Sequence, residues 1–173
     1  MKFEIENAIE ILQNTPDTLK ALMADLSDEW TLEANGDDVW CAYDIIGHYI
    51  HGEKTDWIPR ARVILAQGKN VTFEPFDRFA QFENSRGKSL QELLDEFAQI
   101  RIDNINALRE LKINDEQLGL TGIHPELGEV TLEQLLATWV VHDLTHIRQI
   151  TIEFAKKYAE NVGVWKQYLS ILD

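Results

Sequence analysis

The segment from Leu132 to about Tyr158 restricts the possible folds most, because it predicts one long amphipathic helix. Thr131 and Gln134 form a capping box at its start, in which each side chain bonds the backbone N–H of the other residue. A helix with one apolar face must bury that face against other elements, so the chain has to supply further helices. The face repeats every three or four residues and consists of Leu135, Trp139, His142, His146 and Ile150.

The N-terminal segment from about Glu4 to Asp25 has apolar residues at helical spacing and predicts a first helix. Within it, Thr15 is followed by Pro16. Threonine is a good N-cap and proline is favoured at the first helical position, so we predict that the helix restarts here.

A second helix is predicted from near Cys41 to about Gln67, after an Asn35–Asp38 loop and with Gly68 as its end. Pro59 should bend or interrupt this helix, because proline removes a backbone donor. The stretch from Lys69 to Lys88 has no sustained period and is predicted to be a long connection. Bundles with parallel neighbouring helices need such crossovers.

A third helix is predicted to run from a Ser89 and Glu92 capping box to about Leu111. The segment from Asn114 to Val130 is rich in glycine and is predicted to be a loop. The tail from Val162 to Leu172 is predicted to be a short helical segment packed back on the bundle. Four long helices and no convincing strand predict an all-α fold, a four-helix bundle with a long crossover loop.

Composition limits the fold and the partners. A chain of 173 residues fits a single domain, residues 1–173. The net charge of −14 repels phosphate backbones, so we expect no nucleic-acid partner. No stretch approaches the ~18 apolar residues of a membrane span, and the acidic start does not fit a signal peptide, so we expect a soluble protein. The single cysteine, Cys41, cannot form an internal disulfide, which favours the cytoplasm.

Three histidines are candidates for one metal site. His142 and His146 are four residues apart on the apolar face, so their Cβ atoms lie ~5–6 Å apart and both rings can reach one ion. His48 follows Ile45 by three residues and can lie on the buried face of the second helix. Three buried imidazoles that converge cannot all find acceptors among themselves, whereas a cation takes one lone pair from each ring.

Two other histidines are alternatives. The helical phase of His51 differs from that of His48, which predicts that His51 is exposed to solvent or lies at the rim of the site. His124 precedes Pro125 in the predicted loop, where a turn, lid or ligand role is open.

Several other residues near the predicted site are candidates for its chemistry. Asp143, Glu53, Gln149 and Tyr49 can act as base, orienting group or substrate contact, or can be structural. Asp44 and Asp143 are candidates to accept hydrogen bonds from the imidazole N–H groups. Cys41 can either lie close to the predicted site or be the first residue of its helix. Four tryptophans can form the wall of a pocket or pack in the core: Trp30, Trp40, Trp57 and Trp139.

Three segments together resemble the DinB-like superfamily of metal-binding four-helix bundles over nearly the whole chain. They are DIIGHYIHGEKTDWIPRARVIL (Asp44–Leu65), GIHPELGEVTLEQLLATW (Gly122–Trp139) and VVHDLTHIRQI (Val140–Ile150). The most specific piece is HDxxHxxQ, combined with one upstream histidine. The resemblance implies an up-down-down-up bundle in which His48, His142 and His146 bind a divalent ion, often zinc or nickel.

The resemblance also implies the candidate activities. Relatives include S-transferases that use a low-molecular-weight thiol, and a thiol-dependent isomerase. Three histidines leave a coordination position open, so a metal-dependent hydrolase that activates water is the alternative to a thiol S-transferase that acts on small electrophiles. Two hypotheses remain: a non-catalytic scaffold that the metal stabilises, and a bundle without metal. The resemblance also implies a homodimer, because dimers are common in the family.

Overall fold

The structure is a computed structural model of the chain, and it describes residues 1–36, 39–67 and 71–173. Within these residues lie eight α-helices, one β-hairpin and two C-terminal 3₁₀ turns. The elements in chain order are α1 (Ile5–Met23), α2 (Asp28–Thr31), α3 (Ala42–Thr55), α4 (Trp57–Gln67), α5 (Ala80–Asn84), α6 (Leu90–Glu110), α7 (Asp115–Leu118), β1 (Thr121–His124), β2 (Gly128–Thr131), α8 (Leu132–Lys156) and the 3₁₀ turns Gly163–Tyr168 and Ser170–Leu172.

Four long units form the predicted bundle: α1, the pair α3 and α4, α6, and α8. α1 packs against α6 and α8, and the α3/α4 unit packs against the same two helices from the other side. Cross-helix contacts give the directions. α1 is antiparallel to α6, because Lys20 binds Asp95 while Leu12 contacts Arg101. The all-α four-helix bundle predicted from the sequence is confirmed.

The α3/α4 unit is parallel to α6 and antiparallel to α8. Glu53 contacts Arg101, and one turn earlier Tyr49 packs on Phe97. Against α8, Trp57 stacks on Trp139, whereas His48, nine residues earlier, packs on His146 later in α8. The order of directions is therefore up, down, down, up, and the connection between α4 and α6 is the crossover that this order requires.

The predicted restart in the first helix is wrong, because α1 continues through Pro16. The hydroxyl of Thr15 donates to the carbonyl of Ile11 inside the helix and does not cap a new one. Pro16 has no N–H, so it cannot bond the carbonyl of Leu12, four residues earlier. Nη1 of Arg101 on α6 donates to that carbonyl at 2.8 Å. A contact from another helix therefore satisfies the group that the proline leaves free.

The predicted effect of Pro59 is confirmed, since the second long unit is interrupted at Asp56 between α3 and α4. Proline disfavours the helical conformation of the residue before it and fits in the first turn of a new helix. α4 ends at Gln67 as predicted, while Gly68, its predicted end, lies outside the described residues.

The prediction of a plain loop from Asn114 to Val130 is wrong. The segment contains α7 and an antiparallel hairpin in which Thr121 pairs with Thr131 and His124 with Gly128. Ile123 also exchanges backbone hydrogen bonds with the crossover segment at Val71 and Phe73. Strands of four residues carry too little alternation to be recognised, and this hairpin is fixed mainly by tertiary contacts.

One close approach in the hairpin requires glycine. A Cβ at Gly122 would lie 2.7 Å from the ring of Phe73. The crossover can therefore pack directly on β1, and its Phe76 lies against the rings of His48 and His51 on α3.

The C-terminal tail has the predicted helical character, and its last turn contacts α8. Its aromatic side chains remain largely exposed, however, with Trp165 at 68% and Tyr168 at 75%. Within the described part of the chain, no helix is both long and apolar enough to cross a membrane.

Candidate metal centre

The three predicted histidines meet in the bundle. The Nε2 atoms of His48 and His142 lie 3.0 Å apart, and those of His142 and His146 lie 3.1 Å apart. One donor nitrogen from each of the three lies within 4.8 Å of the other two. His48 is buried on α3, and His142 and His146 are half-buried on α8, one turn apart. The packing of α3 against α8 thus brings together residues 94 positions apart in sequence.

The hydrogen bonds fix the protonation of one ring. Nδ1 of His146 lies 2.8 Å from the side-chain oxygen of Gln149, and because that oxygen is an acceptor, Nδ1 carries the proton. Nε2 of neutral His146 then carries a lone pair that points at the other two rings. Gln149 therefore has the orienting role that the sequence left open for it.

The environment keeps the histidines neutral. Burial, followed by the effect of the neighbouring histidines, lowers the pKa of His48 to about 3 and that of His142 to about 2. Burial also lowers the pKa of His146. Neutral rings offer lone pairs, which is the form in which imidazole binds metals.

The residues fit a divalent ion. A hydrogen bond between two of the Nε2 atoms would need a proton on one of them, and His142 cannot serve both neighbours equally. An ion with ~2.0–2.1 Å bonds to nitrogen accepts all three lone pairs at spacings close to those observed. Nδ1 of His48 and Nδ1 of His142 are buried and have no hydrogen-bond partner among the described residues.

Aromatic rings and one hydrogen bond hold the histidines in place. The rings of Trp57 and Tyr49 lie 5.1 and 5.8 Å from that of His142. The hydroxyl of Tyr49, the residue after His48, donates to the backbone carbonyl of Asp143 at 2.7 Å. This bond ties α3 to α8 beside two of the three histidines.

Glu53 and Asp143, two of the predicted catalytic candidates, bind Arg101 instead of facing the histidines. Asp143 accepts from both terminal nitrogens of Arg101 at 2.6 and 3.0 Å. Glu53 accepts from Arg101 and from the indole of Trp139, both at 2.8 Å, and from Asn104 at 2.9 Å. All three charged side chains are at most 1% exposed. We call Arg101, Glu53 and Asp143 the Arg101 cluster.

The remaining predicted partners of the histidines have other contacts. Asp44 accepts from the backbone N–H of Cys41 at 3.1 Å and so caps α3, instead of supporting a histidine. Cys41 is the N-cap residue of that helix, and burial raises the pKa of its thiol to about 11, which makes it a poor nucleophile.

His51 is buried, contrary to the prediction that it is exposed or at the rim, because its ring packs 4.7 Å from that of Phe76. It is outside the group of three histidines. Nδ1 of His124 accepts from the backbone N–H groups of Glu126 and Leu127, which gives it the turn role among the predicted alternatives.

A cavity of about 660 Å³ opens beside the histidines. Its walls are mostly aromatic and aliphatic side chains from α4, the crossover, the hairpin and α8. The volume falls in the range of ligand-binding sites for small molecules. Trp40 and Trp57 line it, as the sequence allowed, whereas Trp139 is in the core and Trp30 packs on Phe154.

Sequence reasoning missed two charged groups here. Arg101 occupies the apolar face of α6 between Phe97 and Ile105, and an arginine at such a position is a signal that could have been noticed. Asp56, which lines the cavity at the break between α3 and α4, gives no comparable signal in the sequence.

Comparisons with known proteins agree with this geometry. The family model of the DinB superfamily matches residues 11–150, and the chain belongs to this superfamily. Among solved structures, it is similar to YfiT from Bacillus subtilis, with a TM-score of 0.75 and 21% identity over 94% of this chain and 90% of that one. That structure is described as a probable metal-dependent hydrolase with an unusual four-helix bundle topology. No curated protein matches the chain.

Proposed function

We propose that this protein is a divalent-metal-dependent hydrolase for small, largely apolar molecules, with His48, His142 and His146 as the metal ligands. The observation that carries the proposal is the convergence of three Nε2 atoms at the edge of a cavity of about 660 Å³. Three ligands with an adjacent cavity are typical of catalytic metal sites, whereas structural zinc sites have four protein ligands.

One carboxylate near the histidines supports a cation. Asp143, which follows His142 directly in sequence, favours a positive charge at His146, whereas Arg101 opposes one at His142 and Arg78 opposes one at His48. The support for a metal therefore comes mainly from the three lone pairs that converge. The fold similarity to YfiT, described as a probable metal-dependent hydrolase, supports the same conclusion.

The chain's own residues would position the reactants. A divalent ion held by the three histidines supplies Lewis-acid activation of a nucleophile and of the bond to be cleaved. Gln149 keeps His146 in the tautomer that presents its Nε2 lone pair. The rings of Trp40, Trp57 and Phe76 line the cavity and favour an apolar substrate. Three imidazole ligands suit zinc or nickel.

A thiol S-transferase is the second candidate, and the size and apolar walls of the cavity favour it. About 660 Å³ has room for a low-molecular-weight thiol and a small electrophile together. The same three histidines would serve, with the thiol as nucleophile in place of water.

The test uses untagged protein loaded with zinc or nickel. One set of assays follows hydrolysis of phenyl and 4-nitrophenyl acetates. A second set follows conjugation of a chlorinated aromatic electrophile with glutathione, bacillithiol or mycothiol. Metal-dependent hydrolysis that is lost in His142→Ala supports the hydrolase. Metal-dependent conjugation without hydrolysis would replace it by the S-transferase, and the absence of both would refute a catalytic role for these substrate classes.

A further inference from the structure

We infer that Asp56 is the proton-transfer residue of this site, acting on a molecule held in the cavity beside the histidines. The inference rests on the proposed hydrolytic function and adds a catalytic residue to it. It assigns the role to a carboxylate that is not among the candidates suggested by the sequence, which are Asp143, Glu53, Gln149 and Tyr49.

The backbone of Asp56 is held on both sides. Its N–H donates to the carbonyl of Gly52 at 2.9 Å, and its own carbonyl accepts from the N–H of Arg60 at 2.9 Å. The next residue, Trp57, stacks on Trp139 and packs 5.1 Å from the ring of His142. The backbone of Asp56 is therefore held in place, and Asp56 and the three histidines line the same cavity.

The side chain of Asp56 lies in the cavity wall and forms an ion pair with Arg60. It is 14% exposed, and the ion pair joins Oδ1 to Nη2 of Arg60 at 2.9 Å without hydrogen-bond geometry, so Oδ1 can still accept a proton or a hydrogen bond from a bound molecule. Arg60 also donates to the carbonyl of Glu74 and packs over Phe73. In contrast, all four carboxylate oxygens of Glu53 and Asp143 have hydrogen-bond partners.

Among the described residues that line the cavity, one other carboxylate is present. It belongs to Glu126, which is 73% exposed and lies 4.0 Å from Arg78. The carboxylate of Glu126 faces solvent, whereas that of Asp56 is 14% exposed and lies in the cavity wall. Burial and position therefore single out Asp56.

The electrostatics agree with this role. Burial raises the pKa of Asp56 to about 6, and the opposing effect of Arg60 is smaller. The other charged or titratable groups around the cavity are Arg78, His124, Glu126 and the three histidines. A carboxyl group that titrates near neutral pH can both accept and return a proton during turnover.

For an ester, the oxygen of water forms a new bond to the acyl carbon while the π pair of the C=O bond moves onto the carbonyl oxygen, and one proton of the water passes to the carboxylate of Asp56. The C=O bond then re-forms, the bond to the leaving oxygen breaks with its electron pair, and that oxygen takes the proton from Asp56. The products are a carboxylic acid and an alcohol, and Asp56 returns to its ionised form.

The experiment compares zinc-loaded wild type with Asp56→Asn. Glu83→Gln is the control, because Glu83 also pairs with an arginine, Arg86, but is 70% exposed and outside the cavity lining. Metal content is measured for all three proteins, and kcat is determined for phenyl acetate and 4-nitrophenyl acetate. We expect unchanged metal content and a loss of about 100-fold in kcat for Asp56→Asn on phenyl acetate. The loss should be smaller for 4-nitrophenyl acetate, whose leaving group needs no proton.

A second readout is independent of turnover. The visible absorption of the cobalt-substituted protein is followed against pH, and wild type should show an inflection that Asp56→Asn lacks. Unchanged kcat and an unchanged cobalt titration in Asp56→Asn would overturn the inference. If wild type hydrolyses neither ester, the proposed hydrolytic function is wrong. The cobalt titration alone then tests whether Asp56 exchanges a proton in the cavity. An inflection lost in Asp56→Asn then supports proton exchange by Asp56 beside the ion, and identical titrations overturn it.

Discussion

The Arg101 cluster and the three histidines are adjacent in the bundle and differ in how their polar atoms are satisfied. In the Arg101 cluster, every carboxylate oxygen has a partner and both terminal guanidinium nitrogens make bonds, while Nε of Arg101 has no partner among the described residues. In the histidine group, three Nε2 atoms face one another, and two Nδ1 atoms have no partner among the described residues. Buried charges that are paired stabilise a fold, whereas converging lone pairs without donors favour a bound ligand.

Two consecutive residues on α8 belong to different clusters. The side chain of Asp143 joins the Arg101 cluster, while that of His142 turns to His48 and His146. Successive residues on a helix point about 100° apart, so one helix contributes to both clusters. We expect variants in the first group to affect folding and variants in the second to affect metal binding.

The largest effect is expected for Arg101→Met. It leaves two buried carboxylates without a counter-charge, and we expect the free energy of unfolding to fall by about 3–5 kcal/mol. Urea denaturation followed by circular dichroism measures this. Arg109→Met is the control, because Arg109 is 48% exposed and should change stability by less than about 0.5 kcal/mol. Equal stabilities of the two variants would contradict a structural role for the cluster.

His142→Ala should abolish stabilisation by zinc. Free zinc at 1,000 times its Kd stabilises a binding protein by about 4 kcal/mol, and the variant should gain almost none of this. Thermal unfolding with zinc and with a chelator gives the difference. His124→Ala, which removes a cavity histidine bonded within its own turn, should retain the zinc effect. If His142→Ala were still stabilised by zinc, the histidine group would not differ from the Arg101 cluster in metal binding.

Asp56→Asn should change the pH dependence of stability in the metal-free protein. The folded pKa of about 6 is above the ordinary 3.8, so the folded state binds the proton more tightly than the unfolded chain. Ionised Asp56 therefore reduces stability above pH 6, and this cost disappears as the pH falls below 4. We expect the variant to be about 2 kcal/mol more stable at pH 8 and equal to wild type at pH 3.5. If the free energies of unfolding of wild type and Asp56→Asn differed by the same amount at pH 3.5 and pH 8, this prediction would be contradicted.

The smallest effect is expected for Gln149→Ala. Loss of the hydrogen bond to Nδ1 of His146 should weaken zinc binding about tenfold, or about 1.4 kcal/mol. Stability without metal should change by less than about 0.5 kcal/mol, because Gln149 contacts a ligand and not the core network. Competition with a chromophoric chelator measures the affinity, with exposed Gln91→Ala as the control. Equal zinc affinities in Gln149→Ala and Gln91→Ala would show that Gln149 does not orient His146 for metal binding.

Helical periodicity and capping boxes predicted the four long helical units, because these signals are local. The Ser89 and Thr131 capping boxes are both present. The hairpin from Thr121 to Thr131 was not predictable in this way, because its pairing with the crossover at Phe73 is a tertiary contact. The continuity of α1 through Pro16 depends on Arg101, which is 89 positions from Leu12.

The meeting of His48 with His142 and His146 was predictable, since each lies on a face that a bundle must bury. The roles of the nearby carboxylates were not. Glu53 and Asp143 bind Arg101 on α6 instead of facing the histidines, and the sequence does not show this contact between helices. Asp56 lies in the cavity wall because the chain changes direction between α3 and α4, and the direction of that change depends on the folded structure.

The most direct test of the account is the metal content of untagged protein after reconstitution with zinc or nickel, measured by elemental mass spectrometry. The account predicts one ion per chain in wild type and in His51→Ala, and none in His48→Ala or His142→Ala. Wild type that binds no metal after reconstitution, or His48→Ala that retains a full equivalent, would contradict the assignment of the three histidines as a metal centre.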